Sequence, residues 1–462
     1  MNYTLSPVSL FLLIVCFFSL QYTHSEESQD QIILKKIIIN GNNKTKFKTI
    51  LQVLDIDTGI VYDSTSISRW EEKLLESGLF RFVKIYSVVT KGRGIIIISL
   101  KEVNYLSISD IGGELFSRKY GFSENWWKAR LGISIANFRG KNEHCILFLA
   151  LWDSRLFGIT WHKPFTNTPY FINLGFRLGR NPSTTTPWLN SYLNQFAIVG
   201  KKIRKNSILY VNLTTRYNDY QYKGPTDSIT NNISRIIQER EEPYPEVFFT
   251  TGWKRNILKP LFNPQKGIYY GFSAITNIIP HNENRRYLQL NNETIVYHRG
   301  LFPQNTVAYR LRPSIRLGSG SINEGMYMGG ESTLRGFGSG YFGGSKVFNN
   351  RLLFSCEYRF LILKMPVLHF PWLSRYHNGL NNFHSTFNGA IIFDSGYLWK
   401  DLHNPIHPEK DHESAASAGI GIRLMAPTIK RSLCFDIMWG IYPERIINIG
   451  APTWSLYVDM LF

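Results

Sequence analysis

From Val103 to the C-terminus the chain alternates apolar and polar residues, segment after segment, and this period of two limits the fold more than any other feature. In Phe171 to Gly179, Ile172, Leu174, Phe176 and Leu178 alternate with Asn173, Gly175, Arg177 and Gly179. In Leu209 to Tyr217, Leu209, Val211 and Leu213 alternate with Tyr210, Asn212, Thr214 and Arg216. In Val307 to Leu317, Val307, Tyr309, Leu311, Ile315 and Leu317 alternate with Ala308, Arg310, Arg312, Ser314 and Arg316. Successive side chains of a strand point to opposite faces, so each segment has one apolar face and one face that carries arginine. Two architectures use such strands. A soluble sandwich turns the apolar face inward, whereas a membrane barrel turns it out to lipid and keeps the polar face for its lumen.

Composition favours the second. Aromatic residues make up 15% of the 462 residues and charged residues only 19%. The mean hydropathy of -0.16 is nevertheless too polar for a bundle of membrane helices. A barrel with one apolar and one polar face averages to near neutral. The alternating segments number about sixteen over about 360 residues, and about 22 residues per strand and connection suits strands of about 9–11 residues. An even number brings both barrel ends to one side, where the N-terminal region attaches. Tyr222 to Glu246, Gly318 to Asn350 and Lys400 to Ser414 break the alternation and read as long connecting inserts.

The net charge of +18 fits a nucleic-acid partner or anionic lipid. No basic cluster interleaved with aromatics is present, and solvated turns and lumen arginines are the better reading; no nucleic-acid partner is expected. Pro7 to Leu20 is an apolar run too short for a comfortable membrane helix and resembles the core of a signal peptide, with small flanking residues that place cleavage after Ser25. Its first residues lack Lys and Arg, and Cys16 followed by Phe17 argues against a lipoprotein signal. Cys145, Cys356 and Cys434 are odd in number and far apart inside strand-like runs, which favours unpaired thiols in a barrel wall over a disulfide or metal site.

Residues 32–103 have a different period. Ile32 to Ile39 reads as a strand ending at Asn40-Gly41-Asn42. Phe47, Ile50, Leu51 and Leu54 fall at helical spacing, and Asp57-Thr58-Gly59 breaks the chain. Ser64 opens a second helix that runs through Gly78, with Ile67, Trp70, Leu74 and Leu75 as its apolar stripe and Glu71 and Glu72 outside it. Phe82 to Thr90 and Gly94 to Val103 are strands joined by a tight turn. The order is β-α-α-β-β. With Gly59, Tyr62-Asp63, Lys73-Leu74 and Gly78-Leu79-Phe80 followed by Val83, the segment resembles a POTRA domain. The resemblance implies a periplasmic module that binds client strands and accessory subunits, periplasmic or lipoprotein, along a sheet edge.

Within Gly318 to Asn350 lies Gly329-Gly330-Glu331-Ser332-Thr333-Leu334-Arg335-Gly336-Phe337. One arginine sits among glycines that permit positive φ and close backbone approach. The pattern Gly-Gly-x-x-(Ser/Thr)-(Leu/Val)-Arg-Gly-(Phe/Tyr) resembles the loop signature of the BamA/TamA-type superfamily of outer-membrane barrel-assembly proteins and their secretion-transporter relatives. That resemblance implies a loop folded back into the lumen, residues 318–350, whose arginine pairs with acids on the inner wall. Glu357 shares the inward parity of Ser355 and Arg359, and Asp394 matches the family's Asp-x-Gly-x-x-Trp pattern in Asp394 to Trp399. A guanidinium is a planar fork that two carboxylates can satisfy.

Other segments resemble the same family: Asn263 to Gly267 as a Pro-x-x-Gly strand start, and Asn137 to Lys141 and Trp161 to Phe165 as early hairpins. The C-terminal Trp454, Tyr457, Val458, Met460 and Phe462 resemble the strand signal that marks outer-membrane barrels as assembly clients. His403, His407 and His412 share one loop and read as solvated rather than metal-binding. Asn212 and Asn292 head Asn-x-Ser/Thr sequons inside expected strands and read as chance matches. No nucleotide-binding or hydrolase motif is present, and neither a cofactor nor a metal is expected.

The sequence therefore sets out a signal peptide (1–25), an α/β POTRA domain (32–103) and a transmembrane antiparallel β-barrel of sixteen strands (104–462). The resemblance implies a non-enzymatic factor that assembles and inserts barrel proteins in the bacterial outer membrane, in contact with its lipids, through a weak seam between a first strand near Val103 to Gly113 and the last strand. A two-partner-type secretion transporter, a passive porin or surface-binding barrel, and an organellar location are the alternatives.

Overall fold

A computed structural model describes residues 32–459, apart from 78, 91–92, 103–105, 117–125, 153–154, 166–167, 183–187, 205, 223–243, 260–263, 281–285, 319–324, 331–332, 338–341, 344–347, 370–382, 384, 401–411, 427–430, 443–447 and 450–451. The signal peptide, His403, His407, Met460 and Phe462 therefore lie outside the described residues. The described chain divides into two compact units, one holding residues up to Gly41 and Val53–Lys101, the other Asn42–Gln52 and Glu102–Phe462.

The first stretch of chain runs β1 (Ile32–Asn40), α1 (Phe47–Leu54), β2 (Val61–Tyr62), α2 (Ser64–Glu76), β3 (Phe80–Thr90) and β4 (Arg93–Glu102). The strands form one sheet in the order β2-β1-β4-β3, with β1 and β4 parallel. This corrects the β-α-α-β-β expectation, because Val61 and Tyr62 pair with Ile33 and Ile32. Two residues are too few to show any period. Apolar residues in alternation give β4 its buried face, with Ile96, Ile98 and Leu100 inward. In α2, Trp70 and Leu74 are buried as the helical spacing requires, and the Trp70 ring lies 5.6 Å from that of Tyr62. Leu75, expected on the same stripe, is exposed. Glu71 is not a plain outer-face residue either: its carboxylate accepts from the Ile85 amide at 2.8 Å and meets Lys84 at 3.3 Å, tying the helix to β3. Asp63 caps α2 by accepting from the Ser66 amide at 2.7 Å.

The second unit is a closed antiparallel barrel of seventeen strand segments among the described residues. These are β5 (Leu106–Phe116), β6 (Trp126–Phe138), β7 (Glu143–Trp152), β8 (Arg155–Pro164), β9 (Tyr170–Pro182), β10 (Trp188–Arg204), β11 (Ser207–Tyr222), β12 (Tyr244–Asn256) and β13 (Gly267–Ile279). They continue as β14 (Tyr287–Arg299), β15 (Thr306–Gly318), β16 (Asn350–Lys364), β17 (Thr386–Trp399), β18 (His412–Ala426), β19 (Arg431–Tyr442), β20 (Asn448–Ile449) and β21 (Thr453–Asp459). From β5 to β20 each pairs with the next, β21 pairs with β19 as β20 does, and β21 pairs with β5 to close the ring. Two insert limits move. Glu246 falls in β12, and His412 to Ser414 begin β18, so His412 belongs to a strand rather than to the loop of His403 and His407.

The alternation sorts the two barrel faces. Leu209, Val211 and Leu213 of β11 are 44%, 40% and 46% exposed, and Ile391, Phe393, Ile420 and Ile422 are exposed likewise. Residues of opposite parity in these later strands, Glu357, Asp394, Ser417, Arg423 and Asp436, are buried. Among the described residues no helix is long and apolar enough to cross a membrane, which has no bearing on strands. Cys145, Cys356 and Cys434 are all free thiols.

The hairpin between β6 and β7 is anchored within this unit. Asn137, Arg139, Gly140 and Asn142 all have positive φ, an uncommon density for so short a turn. The turned-out Gly140 carbonyl accepts from the Lys46 amide at 3.1 Å and from the Thr49 hydroxyl at 3.0 Å. The Asn137 amide donates to Thr45 Oγ1 at 2.7 Å. The Glu102 carboxylate takes the Lys44 and Thr45 amides at 3.1 and 2.6 Å. A side chain at 140 would collide with the Lys44 carbonyl, so glycine is required there for φ and for space.

Candidate functional site

Between β15 and β16 the chain folds back against the inner wall. Met326 to Gly330 runs out and is met by Phe342 and Phe348, through the Met326 amide to the Phe348 carbonyl at 2.9 Å and through reciprocal Met328–Phe342 bonds. Thr333 closes the tip, its hydroxyl donating to Gly329 O at 2.6 Å while Gly330 N donates to Phe337 O at 3.0 Å. Gly329, Gly330 and Gly336 all have positive φ, the conformation the glycine-rich motif allows.

The loop brings its own apolar core. Met326, Met328, Leu334, Phe337 and Phe348 are buried with Leu353, Leu398 and Ala415 of the wall. The wall has room because small residues face the loop. A Cβ at Gly440 would stand 2.7 Å from the Phe337 ring, and one at Gly396 would strike the Met328 sulfur at 2.5 Å. Phe337 and Phe342 also stack edge to face at 4.9 Å.

This packing aims Arg335 at the wall. Its Nε donates to Asp394 Oδ2 at 2.7 Å and its Nη2 to Asp394 Oδ1 at 2.8 Å, a two-pronged contact. Its Nη1 donates to Glu357 Oε2 at 3.2 Å, and its backbone amide also reaches Asp394 Oδ2 at 3.2 Å. The motif residues and both acids named from the sequence thus meet in one place, Asp394 fully buried and Glu357 nearly so.

The cluster is larger than that triad. Arg359 Nε donates to Glu357 Oε1 at 2.7 Å. Arg423 reaches the same carboxylate at 3.2 and 3.3 Å and donates through Nη1 to Asp436 Oδ1. Arg335 Nη1 stands 3.6 Å from Asp436 Oδ2. Tyr457 donates its hydroxyl to that same Oδ2 at 2.9 Å. Three guanidinium groups and three carboxylates, all buried, balance in charge. Buried charges persist only when paired and hydrogen-bonded, and every carboxylate here has at least one guanidinium donor. Arg423, Asp436 and the Tyr457 contact escape a reading of the loop motif. The signal for the first two is parity: Ile422-Arg423-Leu424 and Phe435-Asp436-Ile437 each set a charge on the inward side of an apolar strand.

The remaining residues named from the sequence lie apart. Trp454 and Tyr457 sit on β21, and Val458 belongs to the same strand. Asn263 lies outside the described residues, whereas Gly267 begins β13 with positive φ. Asn212 and Asn292 are strand residues whose amides bond Thr214 and the Gly271 carbonyl. Among the described residues no group of His, Cys, Asp and Glu is arranged to hold a metal ion. The cluster's chemistry is structural: it fastens a loop to five strands of a wall.

Comparison with known proteins agrees with this geometry. The fold is similar to BamA from Haemophilus ducreyi lacking POTRA domains 1-3, with a TM-score of 0.64 at 16% identity over 93% of this chain and 85% of that one. It is also similar to CdiB from Acinetobacter baumannii (TM-score 0.58, 15% identity, 93% and 74% covered) and CdiB from Escherichia coli (0.59, 13%, 93% and 77%). No curated protein matches the chain in sequence. The Omp85 superfamily domain matches residues 137–437, which take in the loop, Arg335 and the acidic wall from β16 to β19. By that match the chain belongs to the Omp85 superfamily.

Proposed function

We propose that this chain helps fold and insert β-barrel proteins into an outer membrane. In this reading the β1–β4 sheet with its helices is a periplasmic POTRA domain. The barrel spans the membrane with sixteen strands, β20 and β21 counting as one interrupted strand because both pair with β19. Residues 1–25 serve as an export signal.

The observation that carries the reading is the seam. Among the described residues β21 pairs with β19 over seven residue pairs but with β5 over only three, Ser455 to Tyr457 against Phe116 to Glu114. A backbone polar group left unpaired in hydrocarbon is heavily penalised, so a short seam is an edge that recruits another strand. A client strand that pairs there satisfies those groups and acquires a template. The POTRA sheet edge captures the extended client first, by strand addition. The Arg335 cluster braces the barrel and keeps the lumen closed while the seam works. Exchange of backbone hydrogen bonds needs neither a catalytic residue nor a cofactor. The partners are unfolded barrel clients, membrane lipids and accessory subunits docked on the POTRA domain.

Depleting the protein and measuring every outer-membrane barrel tests this. A general fall supports an insertion factor. Loss of one secreted protein supports a secretion transporter instead, and a large steady conductance without either effect supports a passive barrel. A fall confined to organellar barrels moves the same activity to an organellar membrane.

A further inference from the structure

We infer that Tyr457 is a positioning residue that couples the internal loop to the seam strand. The inference rests on the reading of the β21–β5 contact as a working seam. Tyr457 belongs to β21, and it is also one of the three residues that pair with β5, opposite Glu114. Its hydroxyl points away from the seam and reaches the neighbouring strand β19, where it donates to Asp436 Oδ2 at 2.9 Å. The bond is diagonal, since Tyr457 pairs in register with Cys434 and Asp436 with Ser455.

Asp436 is held from two other directions. Arg423 donates to Oδ1, and Arg335 of the loop stands 3.6 Å from Oδ2, the oxygen that Tyr457 uses. The carboxylate is fully buried, so no bulk water competes for it. Its orientation is set by the two cations, and one of them is carried by the loop rather than the wall. When the loop is docked, Oδ2 is presented to Tyr457 and the last strand is pinned on its lumen side. When Arg335 leaves, Arg423 alone orients the carboxylate, Oδ2 turns away and the strand loses its tie to the ion cluster, keeping its main-chain pairing and the Thr453 hydroxyl bond to the Met438 carbonyl at 3.4 Å. The loop position is thereby read out at the strand that, among the described residues, meets β5 over only three residue pairs.

Hydrogen–deuterium exchange of the purified full chain in lipid nanodiscs tests this without any client, so its outcome is separate from whether the protein inserts barrels. The variants are Tyr457→Phe, Arg335→Ala and the pair together, read at amides 453–457. Tyr457→Phe removes one hydrogen bond to a charged group and should speed exchange there by about tenfold, with β11 amides unchanged as the control. In the Arg335→Ala background the same substitution should add nothing. Equal tenfold effects in both backgrounds would mean that Tyr457 stabilises β21 without hearing from the loop, and would overturn the inference, as would no effect in either. If Arg335→Ala does not fold, Arg335→Lys keeps the charge without the fork and permits the same comparison.

Discussion

Arg335 meets Asp394 edge to edge, Nε to Oδ2 at 2.7 Å and Nη2 to Oδ1 at 2.8 Å, so one side of the guanidinium is filled by a single carboxylate. That leaves Nη1 for Glu357 at 3.2 Å. Such a forked pair fixes direction as well as distance. Arg335→Ala would leave three buried carboxylates with two guanidinium partners, and removing one member of a buried ion cluster costs about 3–5 kcal/mol. Arg335→Lys should lose part of that, because an ammonium cannot fill both oxygens in plane. The temperature at which the barrel loses its compact gel mobility measures both, in the order wild type, Lys, Ala.

Gly440 answers a different question, whether the loop docks by packing as well as by charge. A Cβ there would lie 2.7 Å from the Phe337 ring. Gly440→Ala should lift the loop tip and expose it to limited proteolysis, although no charged residue has changed. Phe337→Leu in the same chain should restore much of the protection by vacating that space. If Gly440→Ala alone left the loop as resistant as wild type, packing would not contribute to docking.

Much of this site is legible in the sequence, for a physical reason. Arg335 sits in a glycine-rich loop, and Glu357 and Asp394 interrupt apolar strands at inward parity; each is costly alone and unremarkable as a set. The Tyr457–Asp436 bond is not legible, because it depends on the register of β21 against β19. A shift of two residues preserves every inward and outward face, so alternation cannot distinguish such registers. The barrel itself is legible because period two persists over hundreds of residues. The two-residue β2 is not, and neither is the break between β20 and β21, since neither is long enough to show a period. Glu71 reads as a surface charge until β3 places the Ile85 amide 2.8 Å from it.

The β6–β7 turn predicts a backbone effect. Gly140 has φ of +72° and faces the Lys44 carbonyl. Gly140→Ala should cost about 1–2 kcal/mol from the left-handed conformation alone, with the collision added. Amide exchange at Lys46, which donates to the Gly140 carbonyl at 3.1 Å, should rise with it.

The cap on α2 predicts a pH effect. Hydrogen bonds from the Ser66 side chain and amide, with Thr65, hold the Asp63 carboxyl below its ordinary value. Its stabilisation is therefore full above the ordinary carboxylate range and is lost as pH falls through the depressed folded value. Protection of the first-turn amides of α2, corrected for intrinsic exchange, should be constant from about pH 7 to about pH 5 and fall below about pH 4 in the wild type. Asp63→Ala should be less protected at neutral pH and should show no such step.

The most direct test of the account as a whole is reconstitution. Purified protein in lipid vesicles is mixed with a urea-unfolded outer-membrane barrel, and the client's folding rate is read from its gel mobility. A second preparation carries a disulfide engineered between Phe116→Cys and Ser455→Cys, the outermost described pair across the seam. Its native cysteines are replaced by serine. The client should fold faster with the unlocked protein, show no acceleration with the seam cross-linked, and regain it on reduction. Equal acceleration with the seam locked and unlocked, or none in either state, would contradict the account.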